Sequence, residues 1–284
     1  MEKIILTKPQ NNTLIAQLVS LYQVFKGRQF SESRNFDVSS VDWFSPLLIL
    51  PLVAHINCYN SQFVKDENNV NHSYLDTISF PYGVDSVSIF EHKVQSHKSY
   101  IPISVLKKEK GAERERLESL FSKMVYSVLG SVPGAQNAVY YPITELVTNI
   151  FDHSQQDKGF IFGQFYPKKN YLDICIADCG RGLAKTYEEE KGIKLTDSEA
   201  IVEVLKGHST KPSIERGYGV RTSKQVVCDC LGGEFILFSG SAALVADKNG
   251  KKIVDLPDFY WQGVVVAYRI PKPTGSIDIT PYLE

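Results

Sequence analysis

Several features that would assign the sequence to a common class of protein are missing. Its 284 residues carry a formal net charge of −1, so there is no basic surplus of the kind that nucleic-acid-binding proteins usually show. Acidic and basic residues are mixed along the chain, and no polybasic cluster marks a membrane-binding surface. The composition therefore predicts neither nucleic acid nor a membrane as a partner.

Long hydrophobic runs are missing as well. Segment 1–10 has no apolar core of the kind found in signal peptides. The longest apolar stretch, 43–56, is interrupted by Pro46 and Pro51 and is too short to cross a bilayer. We therefore expect a soluble, cytoplasmic protein.

Cysteine is scarce and its spacing is irregular. The five cysteines include no C-x-x-C pair with a second pair or with histidines at the spacing of a zinc site. We interpret them as reduced thiols of a cytosolic protein and predict no metal site from them.

What is present is typical of a globular α/β protein. Hydrophobic residues make up 43% and charged residues 22% of the chain, and its length allows one large or two ordinary domains. The densest charge cluster, 107–116, suggests a boundary. We therefore predict a smaller α/β domain over 1–105 and a second domain over 106–284.

Hydrophobic periodicity gives a mixed order of elements in both parts. In the first part we expect a helix from Leu14 to Phe25, a buried strand over 36–44, an apolar helix that begins at Ser45 and Pro46, and β-like runs at 77–80 and 87–90. In the second part we expect helices over 117–128, 143–153, 199–205 and 220–230, and strands over 160–167, 171–179, 233–240, 243–254 and 262–270.

The first of three short motifs is ELVTNIFDHS, within the predicted helix 143–153. Glu145, Asn149 and His153 are four residues apart and so lie on one face of a helix. An amide oxygen such as that of Asn149 suits Mg²⁺, and Glu145 one turn earlier could activate a water. Taken alone, the pattern is more typical of a solvated helix face.

The second motif, DCGRG, follows a predicted strand. Asp178 would present a carboxylate at the end of that strand, where it can accept a hydrogen bond from an exocyclic amine. Gly180 and Gly182 allow a tight turn and the close approach of a flat ring. A plain glycine turn would have the same sequence.

The third motif runs from Gly207 to Val227. Gly217 and Gly219 directly precede a predicted helix, so that backbone N–H groups can meet a phosphate. Donors from three polar side chains could add to them, namely Ser209, Thr210 and Lys211. The segment is neither a Walker A loop nor a Rossmann fingerprint, because it lacks the lysine and glycine spacing that these motifs require.

In order and spacing, the three motifs resemble the N, G1 and G2 boxes of the GHKL ATPase superfamily (gyrase, heat-shock chaperone, histidine kinase and MutL). The resemblance covers roughly Leu117 to Pro271. It implies a Bergerat-type fold, in which helices cover one face of a mixed, mostly antiparallel sheet, and it implies ATP and Mg²⁺ as ligands.

Position by position, the resemblance assigns roles to these motif residues. It gives Asn149 to Mg²⁺, Glu145 to the water-activating position and Asp178 to the adenine amine. Further nucleotide contacts are implied for Asp152, His153, Gly180, Gly182, Leu183, Ser209, Thr210, Lys211, Gly217, Tyr218, Gly219 and Val220. Residues 183–215 would form a flexible lid.

The N-terminal block resembles a STAS domain, the fold of anti-anti-sigma factors, through the segment FDVSSVDWFSPLLIL. Such a domain implies a protein partner or self-association. Family acceptor serines sit in a D-S-[ST]-G-like loop, from which Ser45 departs. We expect Ser45 to cap the following helix, and Ser39 and Ser40 to lie in a strand where a phosphate would be costly to bury.

Together these interpretations predict a Mg-ATP-dependent conformational switch with slow ATP hydrolysis. Hydrolysis should be slow because only about 14 residues follow Ile270, which leaves no room for the domain that supplies a lysine to the γ-phosphate in larger relatives. No histidine before Leu117 has the context of a histidine-kinase acceptor. A protein serine kinase of the anti-sigma type and a non-catalytic nucleotide sensor or scaffold remain as alternatives.

Overall fold

A computed structural model of the chain describes residues 2–64, 72–94, 99–129, 132–208 and 219–283. The strands within these residues are β1 (Lys3–Ile5), β2 (Asn35–Asp37), β3 (Gln62–Phe63), β4 (Tyr100–Lys107), β5 (Lys158–Tyr166), β6 (Tyr171–Ala177), β7 (Glu234–Gly240), β8 (Ala242–Asp247), β9 (Gly250–Asp255) and β10 (Trp261–Pro271). The helices are α1 (Leu14–Phe25), α2 (Pro46–Tyr59), α3 (His72–Thr77), α4 (Val87–Lys93), α5 (Gly111–Leu129), α6 (Ala135–His153), α7 (Gly182–Lys191), α8 (Asp197–Lys206) and α9 (Gly219–Gln225), the last continuing into a π-helical turn, Val226–Cys230.

The strands form two sheets. The larger sheet has seven strands in the order β4-β5-β6-β10-β7-β8-β9, and every neighbouring pair in it is antiparallel. The smaller sheet has three parallel strands in the order β1-β2-β3. The predicted mixed α/β fold with a mostly antiparallel sheet is confirmed. Among the described residues, no helix is both long enough and apolar enough to cross a bilayer.

Successive strand residues point to opposite faces of the large sheet. Apolar residues lie on both of these faces. On one face Ile161, Ile174 and Val266 share a core with residues of α5, α6 and α8. On the other face Phe160 and Cys175 pack in a separate core. The helices that follow β4 lie on the first face, as predicted for the second part of the chain.

The second face, which the sequence analysis did not assign, is covered by α1 and α2. Its core joins Phe25 and Leu50 of these helices to strand residues such as Phe238. Two hydrogen bonds tie the ends of the chain together here. Tyr22 donates from its hydroxyl to the Pro257 carbonyl at 2.7 Å, and Arg269 donates to the Asn12 carbonyl at 2.8 Å.

Strand β4 runs across the predicted domain boundary at 105/106. It forms one edge of the large sheet, where Val105 is paired with Phe160 and Lys107 with Lys158. The first part of the chain therefore supplies a strand to the sheet of the second part. The division into two domains stays a prediction.

Three predicted strands of the first part differ from the structure. Only Asn35–Asp37 of the first is a strand, because the Asp37 side chain accepts from the Ser39 N–H at 2.9 Å and turns the chain. The run 77–80 continues from the end of α3 into a turn. The run 87–90 begins α4, where Ser86 caps the helix at the Ile89 N–H.

Candidate functional site

Helix α6 carries the polar stripe that the sequence predicted. Its buried face, which includes Leu146, Val147 and Ile150, packs into the core beneath the sheet. Glu145, Asn149 and His153 are half-buried and line a pocket. The stripe therefore faces a cleft rather than open solvent.

The empty space of this pocket is about 930 Å³ when its open mouth is included. It lies between α6, the end of β6, α7, the end of α8, the first residues of α9 and β10. Its walls are formed by Glu145, Leu146, Asn149, Ile150, His153, Ser154, Ile176, Asp178, Gly182, Leu183, Thr186, Tyr187, Val204, His208, Gly219, Val220, Val264 and Val266. The walls are thus mostly apolar, with a few polar groups that converge on the cavity.

Asp178 lies in the pocket wall directly after β6. Asp178 is 3% exposed, and its Oδ1 accepts a hydrogen bond from the Gly180 N–H at 2.8 Å. Burial raises the pKa of the Asp178 carboxyl to about 7, although the hydrogen bonds with Gly180 and Val264 oppose the shift. The two hydrogen bonds offset only part of the cost of burying the Asp178 carboxylate, so this group is suited to accept a further hydrogen bond from a ligand.

The glycines beside Asp178 are required by close packing. A Cβ on Gly180 would lie 2.4 Å from the Ser154 carbonyl oxygen at the end of α6. Gly182 has a φ of +77°, and a Cβ there would lie 2.9 Å from the Ser239 hydroxyl. That hydroxyl accepts from the Leu183 N–H at 3.0 Å. The turn after β6 is therefore held tightly between α6 and the sheet.

Of the nucleotide contacts predicted in the third motif, the structure describes Gly219 and Val220 at the start of α9, and both line the pocket. A Cβ on Gly219 would lie 2.6 Å from Glu145 Oε2 and 3.2 Å from Asn149 Nδ2. The start of α9 therefore lies directly against the polar stripe of α6. The other predicted contacts of this motif lie outside the described residues, namely Ser209, Thr210, Lys211, Gly217 and Tyr218.

Two softer assignments at the end of α6 have different positions. His153 lines the pocket, and its Nδ1 is 3.6 Å from Glu190 Oε2 on α7. Asp152 is exposed, and it is not part of the pocket wall that the described residues form.

The segment predicted as a flexible lid contains two helices up to His208. Helix α8 was predicted, whereas α7 was not. Ile201 and Leu205 of α8 are buried in the core, and Asp197 accepts from the N–H and the hydroxyl of Ser241 at 2.8 and 2.9 Å. Residues 209–215 of this segment lie outside the described residues.

Sequence reasoning missed Tyr187 in the pocket wall and Arg181 beside it. Tyr187 donates from its hydroxyl to the His208 carbonyl at 2.5 Å and so joins α7 to the end of α8. Burial raises the pKa of that hydroxyl to about 12. Arg181 donates to the His153 carbonyl at 2.6 Å and to Glu189 at 2.8 Å, which fastens α7 to α6. Arg181 belongs to the DCGRG motif, but nothing in its spacing indicated this structural role.

The pocket wall offers acceptor oxygens from Glu145, Asn149 and Asp178. Among the described residues, no three acidic, histidine or cysteine side chains cluster as a metal site. The described wall also contains neither lysine nor arginine. A divalent cation held here would therefore take most of its ligands from a bound molecule and from water.

A scan of the chain against protein-family models and a search of the curated proteins found no match.

Proposed function

We propose that this chain binds Mg-ATP in the pocket between α6 and β10 and acts as a nucleotide-driven switch that hydrolyses ATP slowly. One observation carries the proposal. Four residues that are spread over more than 70 positions of the sequence line a single pocket of about 930 Å³. They are Glu145 and Asn149 on α6, Asp178 after β6 and Gly219 on α9.

The shape of the pocket fits a nucleotide at two points. The buried Asp178 carboxylate beside Gly180 provides an acceptor next to apolar wall residues such as Val264, which suits a flat base. At Gly219 there is no room for a Cβ against Glu145. Backbone at this point can approach a phosphate closely, as at other glycine-bearing helix starts.

Three polar residues of the pocket would each have a separate role in binding or hydrolysis. Asp178 accepts from the adenine amine and so disfavours guanine, which has a carbonyl at that position. Asn149 offers its amide oxygen to Mg²⁺, which would neutralise charge on the phosphates. Glu145, one turn from Asn149, orients and deprotonates a water.

Slow turnover follows from the charges of the pocket. Neither lysine nor arginine lies in the wall that the described residues form, so of the motif residues only Lys211, outside the described residues, could offset charge that develops on the phosphate oxygens. The nucleotide state would then persist long enough to act as a signal. Its effect would pass to a protein partner or to the first part of the chain.

Two serines keep a protein kinase as the second candidate. The expectation that Ser39 and Ser40 are buried in a strand is wrong: both are exposed in a turn after β2. Ser45 is buried, and its hydroxyl donates to Gln17 Oε1 at 2.7 Å instead of capping α2. Ser39 and Ser40 are therefore the accessible acceptors of this group.

The proposal is tested by calorimetry with ATP and GTP, in the presence and absence of Mg²⁺. We expect micromolar or tighter binding of Mg-ATP, weaker binding of GTP, and loss of the Mg²⁺ dependence in Asn149→Ala. Asn137→Ala, an exposed position on the same helix that does not line the pocket, is the matched control. No binding of ATP by the folded protein would refute the proposal.

The switch ATPase and the kinase are separated by incubation with γ-labelled ATP. Free phosphate with unmodified protein supports the switch. Label on Ser39 or Ser40 of this chain, identified by mass spectrometry, would favour the kinase, and the double variant Ser39→Ala/Ser40→Ala would then lose the label.

A further inference from the structure

Trp261, at the start of β10, has no exposed surface. Its indole Nε1–H donates to the backbone carbonyl of Asp178 at 3.0 Å. Buried indole N–H groups usually find one acceptor, and here that acceptor is the backbone of the residue whose carboxylate faces the pocket.

The rest of the indole lies in the aromatic core on the opposite face of the sheet. Its ring centroid is 4.7 Å from that of Phe30 and 5.3 Å from that of Phe25, both edge-on, and 5.8 Å from that of Phe238. Phe25 and Phe30 belong to α1 and the loop after it. Trp261 therefore contacts the first part of the chain with its ring and Asp178 with its nitrogen.

Strand β10 is shaped around the Asp178 backbone. The register of β10 shifts between Trp261 and Val265, and the Asp178 N–H donates to the Val264 carbonyl at 2.9 Å. Gly263 has a φ of +114°, and a Cβ there would lie 2.3 Å from the Asp178 carbonyl oxygen. Both polar groups of the Asp178 backbone are thus held by this irregular segment.

We propose that Trp261 is a positioning residue that couples the aromatic core under α1 to base recognition by Asp178. An aspartate side chain is short, so the direction of its carboxylate follows its backbone closely. A shift of Phe30 or Phe25 moves the indole, and the indole moves the Asp178 peptide. The coupling rests on the proposed function, since it concerns the base-recognising end of the ATP site.

Coupling of this kind acts in both directions. A partner that repacks α1 would change nucleotide affinity, and nucleotide bound at Asp178 would hold the aromatic core in one arrangement. The first part of the chain would then be a regulator of the pocket although none of its described residues lies in the pocket wall.

A matched pair of substitutions tests the route through the aromatic core. Phe30 and Phe36 are both buried there and both contact His55, but only Phe30 has a ring contact with Trp261 among the described residues. Phe30→Leu should weaken ATP binding by about two- to tenfold, the scale of one aromatic pair or hydrogen bond. Phe36→Leu should lower the thermal midpoint to a similar extent and change ATP affinity much less, because among the described residues its ring contacts Phe25 but not Trp261.

A double-mutant cycle tests the contact with Asp178. Trp261→Phe should weaken ATP binding by about two- to tenfold and reduce the preference for ATP over GTP. In an Asp178→Asn background the same substitution should have little further effect, because the group that it positions has lost its role. A purely structural role of Trp261 would instead weaken ATP and GTP binding equally and additively with Asp178→Asn.

A spectroscopic readout keeps the test independent of any loss of stability. The chain has two tryptophans, and Trp43→Phe leaves Trp261 as the only indole. Its fluorescence should change when ATP is added, and Phe30→Leu should diminish the change whereas Phe36→Leu should not. Unchanged affinity in both Phe30→Leu and Trp261→Phe, with Asp178→Asn still weakened, would overturn the coupling alone. Unchanged affinity in Asp178→Asn would overturn the proposed adenine site and the coupling with it.

Discussion

The two faces of the seven-stranded sheet are built from the same strands and differ in what covers them. Under α1 and α2, aromatic side chains such as Phe25, Phe30 and Trp261 are buried in one core. Under α6 to α9, the strands contribute equally apolar residues, including Ile176 and Val266, yet a pocket remains open. The polarity of the site therefore comes from the helix and turn residues that face the sheet.

The titratable groups of the two faces respond differently to the same burial. His55, beneath α1, is held between the Ser61 hydroxyl and the Phe30 carbonyl at 2.9 and 2.7 Å. Desolvation lowers its pKa to about 4, so His55 stays neutral near neutrality. Desolvation raises the pKa of Asp178 to about 7. On the face under α1 and α2, the closed face, His55 therefore keeps one charge state near neutral pH, whereas on the face with the pocket, the open face, Asp178 changes its charge there.

The largest effect is expected from a substitution in the core of the closed face. Phe25→Ala should lower the free energy of unfolding by about 3–5 kcal/mol, because it leaves a cavity among four other aromatic rings. Ile15→Ala, at a largely exposed position of the same helix, should change it by less than about 0.5 kcal/mol. Urea unfolding of both variants measures the difference; similar values would show that α1 does not close this face.

The next effect concerns chemistry on the open face. Glu145→Gln should lower the rate of ATP hydrolysis by about 10²-fold or more, the scale expected for the loss of a general base. Affinity for ATP should stay within about twofold, because the substitution keeps the shape of the side chain beside Gly219. Single-turnover hydrolysis and calorimetry are the two measurements. Joint loss of affinity and rate would assign Glu145 a binding role instead.

A smaller effect is expected at the base-recognising end of the pocket. Asp178→Asn should weaken ATP binding by about 1–3 kcal/mol, the cost of leaving a buried polar group without its partner. GTP binding should change less, since guanine has no amine at that position. Calorimetry with both nucleotides, together with circular dichroism to verify the fold, decides this. Equal losses for ATP and GTP would contradict a specific contact with adenine.

The smallest effect is a dependence of ATP affinity on pH, which we expect from Asp178 on the open face. Asp178 accepts from an amine as a carboxylate, and below its raised pKa of about 7 it is protonated. ATP affinity should therefore be constant above about pH 7 and fall by up to about tenfold per unit below it. Asp178→Asn should remove this part of the dependence. A pH profile that is the same in wild type and variant would assign the titration to other groups.

Sequence patterns predicted the elements whose signals are local. The stripe Glu145, Asn149 and His153 was visible because helical spacing places these residues together, and Asp178 because it follows a regular strand. Helix α7 was missed because its sequence, GLAKTYEEEK, has few apolar residues and so no clear periodicity. Helix α4 was read as a strand because Val87 and Phe90 are apolar residues in a short run.

The relation between the two faces could not be predicted in this way. The contact between Trp261 and Asp178 joins residues 83 positions apart, and no pattern within either segment announces it. Apolar strand residues such as Phe160 and Cys175 indicate that the second face must be covered. Their alternation does not indicate that α1 and α2 are the helices that cover it.

The hydrogen bond from Tyr22 to Pro257 spans 235 residues, which has a consequence for the synthesis of the protein. Helix α1 leaves the ribosome long before the segment that ends in β10 exists. At about 5–20 residues per second, the delay is roughly ten to fifty seconds. During that time the apolar surface of α1 lacks β10, the strand against which it later packs. The nascent chain therefore depends on whatever shields this surface, and chaperone supply and elongation rate will set how much of it reaches the native state.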